Sequence, residues 1–211
     1  MRLSLRALLL GAVLAAISLH GALACQGKRM VFEDRFNTLA DAWGRDDNVS
    51  VSGGRLRVQA PLVGGDLADH ILNQSNVYVD VDQCIIVQFS NADDPSSASA
   101  GLAFWGADDD HYYMLVVDPT GDYIVMHKVA AHRNLIPVGW TKSSAIRQGL
   151  NVGNELEVVT NGNHASLFIN GVLVNELDGE APPSGALVGV YWAVQPSHTM
   201  AAEFSDLKVM K

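Results

Sequence analysis

Two pairs of acidic residues have the spacing that places both side chains on the same face of a β-strand. Asp80 and Asp82 form one pair, and Glu155 and Glu157 form the other. Side chains alternate between the two faces of a strand, so each pair would point two carboxylates in one direction. Two carboxylates placed roughly 5 to 10 Å apart across a glycosidic bond can hydrolyse it. Asp80, Asp82, Glu155 and Glu157 are therefore candidate catalytic residues. The competing interpretation is that they lie on solvated strand faces, where acidic residues show the same spacing.

Aromatic residues are the second group that could do chemistry, because sugar rings stack their C–H faces on aromatic rings. An aromatic side chain with a polar group suits such a half-wet surface. We predict that Trp105, Tyr112 and Tyr191 line a ligand site, with Asp110 and His111 at its rim. Aromatic residues also fill the cores of β-sandwiches, which is the competing interpretation.

Alternation within a strand makes the aromatic prediction sharper. The aromatic residues occur as adjacent pairs, namely Phe104 with Trp105, Tyr112 with Tyr113, and Tyr191 with Trp192. Adjacent strand residues face opposite ways, so one member of each pair is expected in the core and the other outside. The sequence does not say which member faces outward.

A run of acids, Asp108-Asp-Asp-His111, offers oxygen ligands of the kind that Ca²⁺ prefers. It lacks the spaced ligand pattern of a known calcium loop, and charged residues are ordinary at a hairpin tip. The histidines are scattered and form no motif. We therefore expect no cofactor other than a structural Ca²⁺ ion, for which this loop is one candidate.

The elements that must position these residues are mostly short strands. Turn signals recur about every ten residues, at Asp93-Asp-Pro-Ser-Ser97, Asp118-Pro-Thr-Gly-Asp122, Asn161-Gly-Asn163 and Pro182-Pro-Ser-Gly185. Asn170-Gly171 between two β-rich runs predicts a tight hairpin turn. This pattern predicts an all-β protein, an antiparallel two-sheet jelly-roll sandwich. The only helix expected is one or two turns at Thr141–Arg147.

The strands expected from the β-rich runs are Asn48–Val51, Arg55–Gln59, Asp69–Leu72, Asn76–Val79, Cys84–Ser90, Gly101–Trp105, Tyr112–Val117, Tyr123–Lys128, Asn154–Thr160, His164–Ile169, Val172–Leu177, Leu187–Val194 and Ala202–Val209. Leu156 and Val158 alternate with Glu155 and Glu157. The apolar residues of that strand should therefore face the opposite sheet.

Residues 1–24 have the features of an export signal. A positive start with Arg2 and Arg6 precedes an apolar run too short to span a bilayer, and Ala22-Leu-Ala24 offers a cleavage site. We predict cleavage before Cys25, leaving residues 25–211 as one domain in the periplasm or outside the cell. Lipid attachment at Cys25 is the alternative, although Ala22 stands where Leu, Val or Ile would be usual.

Cysteine usage and charge both bear on the exported domain. Cys25 and Cys84 could form a disulfide in an oxidising compartment, or Cys84 could be buried with Cys25 free or acylated. Loss of the signal leaves 12 basic and 23 acidic side chains, a net charge of about −11. Such a surface repels nucleic acid and anionic lipid. No later stretch is long enough for a membrane span.

A series of short motifs along the mature chain occurs in the order of a known superfamily, namely Phe32–Phe36, Trp43, Val49–Val58, Gly101–Trp105, Tyr112-Tyr113, Gly121–Tyr123, Asn154–Val158, Phe168–Gly171, Gly185–Gly189 and Glu203–Val209. In these residues the chain resembles the concanavalin A-like lectin/glucanase superfamily, nearest to its laminin-G-like and 3-keto-disaccharide hydrolase-like branch. The resemblance implies a jelly roll of two curved sheets with its ligand site on the concave face or rim. It also implies paired first and last strands, with a calcium ion near Asp34 and Asp206.

The chain departs from this family's glucanases in one respect. Their acids lie on one strand as Glu-x-Asp followed closely by Glu, and no such motif occurs here. The function expected first is therefore an exported, non-catalytic module that binds a carbohydrate or another extracellular polymer. The alternatives are a glycoside or 3-keto-glycoside hydrolase, and a structural envelope protein without a small ligand.

Overall fold

A computed structural model describes residues 25, 27–61, 65–131 and 133–211, which form two antiparallel sheets packed face to face. The predicted signal at residues 1–24 lies outside these described residues. The strands are β1 (Met30–Asp34), β2 (Val49–Ser52), β3 (Arg55–Ala60), β4 (Ala68–Tyr78), β5 (Asp82–Ala92), β6 (Ala98–Asp108), β7 (His111–Val117), β8 (Asp122–Ala130), β9 (Arg133–Lys142), β10 (Asn154–Asn161), β11 (His164–Ile169), β12 (Val172–Asp178), β13 (Ala186–Val194) and β14 (Met200–Met210). Two short 3-10 helices occupy Asp41–Trp43 and Pro95–Ser97.

The strand order matches the predicted jelly-roll sandwich. One sheet has eight strands, with the order β12-β11-β10-β5-β14-β3-β2 and β1 also paired with β14. The other has six strands, with the order β4-β13-β6-β7-β8-β9. The first and last strands pair, as the resemblance implied, with Asp34 opposite Leu207.

The main core fills the space between the sheets, and alternation selects the residues that enter it. Leu156 and Val158 point inward and are fully buried, while Glu155 and Glu157 lie on the other face of β10, as predicted. Burying such side chains is worth about 1.5–3 kcal/mol each, which makes this strand register costly to shift.

A second apolar cluster covers the other face of the six-stranded sheet, which we call the outer face. Its members are Leu72, Ala103, Tyr112, Met114, Val116, Ile124, Leu187 and Tyr191. Tyr113 and Trp192 belong instead to the main core. Two of the three aromatic pairs are therefore split between the faces, and Tyr112 and Tyr191 are the outward members.

The third aromatic pair does not follow the prediction. Phe104 and Trp105 both belong to the main core, with ring centroids 5.4 Å apart. Trp105 has a φ of 47°, and the β6–β7 register shifts between Phe104 and Asp108. This irregularity breaks the alternation and turns Trp105 inward, so the prediction of opposite faces is wrong for this pair.

Three details of the predicted elements are also wrong. The residues expected to form a helix at Thr141–Arg147 include the end of β9 and a turn. Strand β9 was not predicted, because Pro137 argues against a central strand. It is the edge strand of its sheet, where a missing N–H is tolerated. The two strands expected at Asp69–Leu72 and Asn76–Val79 form the single strand β4.

The pair Asp80 and Asp82 does not share a strand. β4 ends at Tyr78, β5 begins at Asp82, and Asp80 lies in the turn between them with a φ of 49°. The spacing of Asp80 and Asp82 predicted that both lie on one face of a strand. The chain reverses direction at this turn instead.

The predicted bridge between Cys25 and Cys84 is present, with the two Cα atoms 5.7 Å apart. It attaches the start of the described chain to β5. The predicted turn at Asn170-Gly171 also forms, and both residues have positive φ angles of 51° and 77°. Within the described part of the chain, no helix has the length and apolar character needed to cross a membrane.

Candidate functional site

A groove of about 610 Å³ lies on the outer face of the six-stranded sheet, and we call it the outer groove. Four strands supply its main polar and aromatic side chains, which are Asp69, His70, Tyr112, Lys128 and Tyr191. Pairing of β4 with β13 sets His70 opposite Tyr191, and pairing of β7 with β8 sets Tyr112 opposite Lys128. The groove thus collects residues that are far apart in the sequence.

The two tyrosines form the floor of the outer groove. Tyr112 is 2% exposed and Tyr191 is 8% exposed. The His70 ring stacks on Tyr112 with centroids 4.4 Å apart, and Lys128 Nζ lies 5.4 Å from the Tyr112 centroid. Burial raises the pKa of Tyr112 well above its usual range and raises the pKa of Tyr191 to about 12. Both hydroxyl groups therefore keep their protons at neutral pH.

His70 is neutral at pH 7. Burial, assisted by the positive charge of Lys128, lowers the pKa of His70 to about 4. Its Nε2 atom is buried and has no hydrogen-bond partner among the described residues. A neutral imidazole nitrogen in a groove can donate or accept one hydrogen bond, depending on the tautomer. This nitrogen lies 3.8 Å from Asp109 Oδ1, and a ligand hydroxyl group that reached it would satisfy it.

Asp69 holds a proton more tightly than an ordinary aspartate. Burial, together with a hydrogen bond that protonated Asp69 donates to the neighbouring Asp46 carboxylate, raises the pKa of Asp69 to about 6. The backbone N–H of His70 opposes this shift by donating to Asp69 Oδ1 at 2.7 Å. The groove therefore contains a carboxyl group that changes charge just below neutral pH.

The two predicted rim residues have different positions. Asp110 lines the outer groove, and its Oδ1 lies 3.4 Å from Lys128 Nζ. That ammonium group also donates to the carbonyl of Asp109 at 2.7 Å. His111 lies at the exposed hairpin tip, where its Nδ1 is 2.8 Å from Asp108 Oδ1. The structure thus brings Tyr112, Tyr191 and Asp110 together, and places His111 outside the groove lining.

Trp105 does not join the outer groove. It is 5% exposed and packs edge-on against Tyr113 between the two sheets, with centroids 5.2 Å apart. The irregularity in β6 that turns its side chain inward removes it from the predicted group. The sequence gives no signal for an irregularity at this position.

An exposed indole flanks a second depression on the outer face. Trp140 on β9 is 53% exposed and lines a volume of about 390 Å³ together with Ser99, Asp122 and Gln195. An exposed indole beside hydroxyl, carboxylate and amide groups has the composition of a sugar-stacking position. The sequence did not predict Trp140 as a site residue, because β9 was not recognised as a strand.

The catalytic candidates lie on the opposite side of the molecule. Asp82 and Glu157 meet on the outward face of the eight-stranded sheet and hydrogen-bond to each other. Burial, then the charge of Asp82, raises the pKa of Glu157 to about 7. The two carboxyl groups touch each other, whereas the two carboxylates that flank a glycosidic bond lie roughly 5 to 10 Å apart. Asp80 lies apart from this pair and accepts a hydrogen bond from Gly162 N at 2.6 Å. Glu155 lies on the same face of β10 as Glu157.

Neither proposed calcium location gathers a ligand set. Within residues 25, 27–61, 65–131 and 133–211, no group of three or more His, Cys, Asp or Glu side chains could hold a metal ion. Asp34 accepts hydrogen bonds from Phe36 N at 2.7 Å and Trp43 Nε1 at 2.8 Å. Asp206 is exposed on β14 with a φ of 53°.

Asp46, Asp69 and His70 lie at the candidate site, although the sequence did not predict them there. Asp46 follows a short 3-10 helix, whereas Asp69 and His70 begin β4. Their adjacency depends on how β4 packs beside that loop, which is a long-range contact. The adjacent Asp69-His70 dipeptide in a β-rich run was the only local signal.

Comparisons with known proteins bear on the fold. No family model and no curated protein matches the chain. Among solved structures, the chain is similar to the carbohydrate binding module CBM66 from Bacillus subtilis, with a TM-score of 0.56, 15% identity, and coverage of 74% of this chain and 86% of that one. It is similar to a Bacillus licheniformis beta-glucanase, with a TM-score of 0.53, 12% identity, and coverage of 85% and 97%.

A third similar structure is the catalytic domain of an endo-1,3-beta-glucanase (laminarinase) from Thermotoga petrophila. Its TM-score is 0.56 and its identity is 8%, over 86% of this chain and 96% of that chain. These likenesses establish the fold, which is an antiparallel two-sheet jelly-roll sandwich.

Proposed function

We propose that this protein is an exported carbohydrate-binding module that binds a glycan in the outer groove. The observation that carries the proposal is the arrangement of Tyr112, Tyr191 and His70, an apolar floor that holds neutral hydrogen-bonding groups. Sugars require both features, because they expose C–H faces and hydroxyl groups together. The similar structures include a carbohydrate binding module and two glucanases, which supports a glycan as the ligand class.

Charge supports an uncharged glycan rather than an anionic one. The predicted mature chain has a net charge of about −11. Asp69, Asp109 and Asp110 lie around His70 and the outer groove, and Lys128 is already paired with Asp110. A polyanion would meet repulsion at this surface.

The experiment is a glycan array that includes 1,3-β-glucans, followed by titration of the variants against the best ligand. We expect His70→Ala and Tyr191→Phe to weaken binding by about 5- to 50-fold, because each removes a hydrogen-bonding group from the groove. Ser166→Ala on the eight-stranded sheet is the control and should bind normally. Equal affinities in all four proteins would overturn the proposal.

Glycoside hydrolysis is the second candidate, and the pKa of Asp69 favours it. A general acid must hold a proton near the working pH, and the pKa of Asp69 is raised to about 6. Asp46 is too close to be the opposite member of a catalytic pair, whereas Asp109 lies across His70. Glycan hydrolysis by the native protein that is lost in both Asp69→Asn and Asp109→Asn would establish this activity.

The proposed location is the periplasm or the extracellular space, after cleavage before Cys25. The disulfide to Cys84 supports an oxidising compartment, and it uses the sulfur that a lipid anchor would need. The laminin-G-like and 3-keto-disaccharide hydrolase-like branch stays a prediction. Intact-mass measurement of the exported protein tests the processing, and added acyl chains would contradict it.

A further inference from the structure

A cavity of about 420 Å³ opens at one end of the sandwich, and we call it the end cavity. It lies between the β4–β5 turn, the β10–β11 turn and the segment that precedes β13. Its apolar walls include Val81, Trp105, Pro182, Ala186 and Val188. A cavity of this size and composition is within the usual range for a small-molecule site.

Gln83 gives the end cavity an unused polar group. The residue is 1% exposed, lines the cavity, and its Oε1 has no hydrogen-bond partner among the described residues. Leaving an amide oxygen buried without a partner costs about 1–3 kcal/mol. The inward-facing neighbours Ile85 and Val87 on the same strand are fully buried apolar residues. A hydrogen-bond donor on an occupant of the cavity would satisfy this oxygen.

Thr160 and Asp80 also line the end cavity, and both already have hydrogen-bond partners. Thr160 Oγ1 accepts from Val81 N at 3.0 Å and donates to Val81 O at 3.1 Å. The Asp80 carboxylate accepts from Gly162 N at 2.6 Å and lies exposed at the mouth. An anionic ligand would meet this carboxylate, so an uncharged ligand fits better.

We propose that the end cavity binds a small uncharged amphiphile, with an apolar ring against Trp105 and one N–H or O–H group donating to Gln83. This site goes beyond the proposed glycan function, because its lining shares no residue with the outer groove.

The test uses N-phenyl-1-naphthylamine, an uncharged aromatic probe with one N–H group, titrated into the folded, oxidised protein by fluorescence. Saturable binding at one site is expected. Gln83→Leu should weaken it by about 3- to 10-fold, the value of one hydrogen bond. Ala186→Leu should abolish it by filling the cavity, and Ala201→Leu on the outward face of β14 is the matched control.

Circular dichroism verifies that each variant is folded, and a crystal grown with the probe locates it. Density between Trp105 and Gln83 supports the proposal. No saturable binding, equal binding in Ala186→Leu, or density elsewhere overturns it. Glycan affinity should be the same in Ala186→Leu and the native protein, so a failure here is distinct from a failure of the outer groove.

A second site is formed on the opposite sheet by the carboxyl groups of Asp82 and Glu157, which we call the acid pair. Both residues are buried, at 8% and 4% exposure. Cys25 N donates to Glu157 Oε1 at 3.2 Å, and Gly27 N donates to Asp82 Oδ2 at 3.0 Å. The disulfide to Cys84 holds this segment in place, because Cys84 lies directly opposite Glu157 in the β5–β10 register.

We infer that the acid pair binds the α-ammonium group of Cys25 after the chain has been cleaved before that residue. This inference rests on the predicted cleavage site. In the uncleaved chain, the Cys25 nitrogen is a neutral amide with one proton. Cleavage converts it to an ammonium group with a pKa of about 8, which adds a positive charge beside two buried carboxyl groups.

Charges of both signs surround the acid pair. Glu155 on β10 adds a further negative charge beside Glu157. Asp80 and Lys211 line the adjacent cavity, and Lys208 on β14 lies opposite Cys84. With the neutral amide, burial and the charge of Asp82 raise the pKa of Glu157 to about 7, so folding favours the protonated acid. The unfolded chain loses that proton near pH 4.5, so stability falls as the pH rises from about 4.5 to 7.

The test compares two oxidised proteins, one that begins at Cys25 and one that carries a short neutral extension before it. From pH 5 to pH 7, the extended protein should lose stability while the cleaved protein loses much less. At pH 7 the folded-to-unfolded ratio should be at least about 10-fold higher for the cleaved protein. Acetylation of its α-amino group should restore the behaviour of the extended protein.

Glu157→Gln should reduce the difference between the two proteins, and Asp82→Asn combined with Glu157→Gln should remove it, because no carboxylate then pairs with the ammonium group. The difference should also disappear above about pH 10, because the acid pair raises the pKa of the α-amino group in the folded protein above its ordinary value of about 8. Identical pH profiles for the two native proteins, or a difference that persists in the variant carrying both Asp82→Asn and Glu157→Gln, would overturn the inference.

Discussion

At the residue scale, Trp140 is the exposed aromatic side chain of the outer face. We expect Trp140→Ala to weaken glycan binding by about 10-fold, because stacking residues at binding sites are commonly worth a kcal/mol or more. Ile136→Ala is the matched control, since Ile136 lies on the same strand and is 60% exposed. Calorimetric titration of both variants measures the effect. Normal binding by Trp140→Ala would remove this depression from the site.

Asp69 makes stability depend on pH in a defined window. Its folded pKa of about 6 lies above the ordinary 3.8, so the folded protein keeps a proton that the unfolded chain loses. Stability therefore falls as the pH rises from about 4 to 6. Asp69→Asn removes this contribution and should be more stable than the native protein by about 1–2 kcal/mol at pH 7.5.

Urea denaturation at pH 4.5 and pH 7.5 measures the difference. The exposed Asp47→Asn is the control and should follow the native profile. If Asp69→Asn keeps the native decline between the two pH values, the titration of Asp69 is not its cause.

At the element scale, the β11–β12 hairpin fixes a corner of the sandwich through Asn170. This residue has a φ of 51°, and its Nδ2 donates to Ala145 O and to Asn154 Oδ1, each at 2.8 Å. Its Oδ1 accepts from Glu155 N at 3.0 Å. Asn170→Ala should therefore lower the free energy of unfolding by about 2–4 kcal/mol.

Asn170→Gly separates the two causes, because glycine accepts the positive φ but makes none of the three hydrogen bonds. Its stability should lie between those of the native protein and Asn170→Ala. Glycan binding should be unchanged in both variants at a temperature where they are folded. Equal stability of all three proteins would contradict the assignment of the turn.

Local pattern was enough to predict most of the elements. The alternation of Leu156 and Val158 with Glu155 and Glu157 identifies the faces of β10 correctly. The alternation rule fails at Trp105, because one irregular residue reverses every side chain that follows it. It also fails for β9, where tolerance of Pro137 depends on the edge position of the strand rather than on its sequence.

The candidate site was less predictable than the fold, because it is assembled from contacts between distant residues. Tyr112, Tyr191 and Asp110 were predicted and do come together. His70 joins them only because β4 is the neighbour of β13, and Asp46 meets Asp69 across a loop. No local pattern states which strand lies beside which.

At the scale of the whole molecule, the three proposed binding sites lie in separate places. The outer face presents the groove that contains Tyr112 and Tyr191, the end of the sandwich holds Gln83, and the eight-stranded sheet carries Glu157 beneath Cys25. A substitution in one place should leave the others intact, because effects at sites without shared partners are usually additive.

The central claim is that the outer face of the six-stranded sheet binds an uncharged glycan. Its most direct test is an NMR titration of the labelled protein with the glycan selected by the array. The account predicts saturable amide shifts at Asp69, His70, Tyr112, Lys128 and Tyr191, with little dependence on salt because the ligand carries no charge. Shifts confined to the eight-stranded sheet, or no binder on the array, would contradict it.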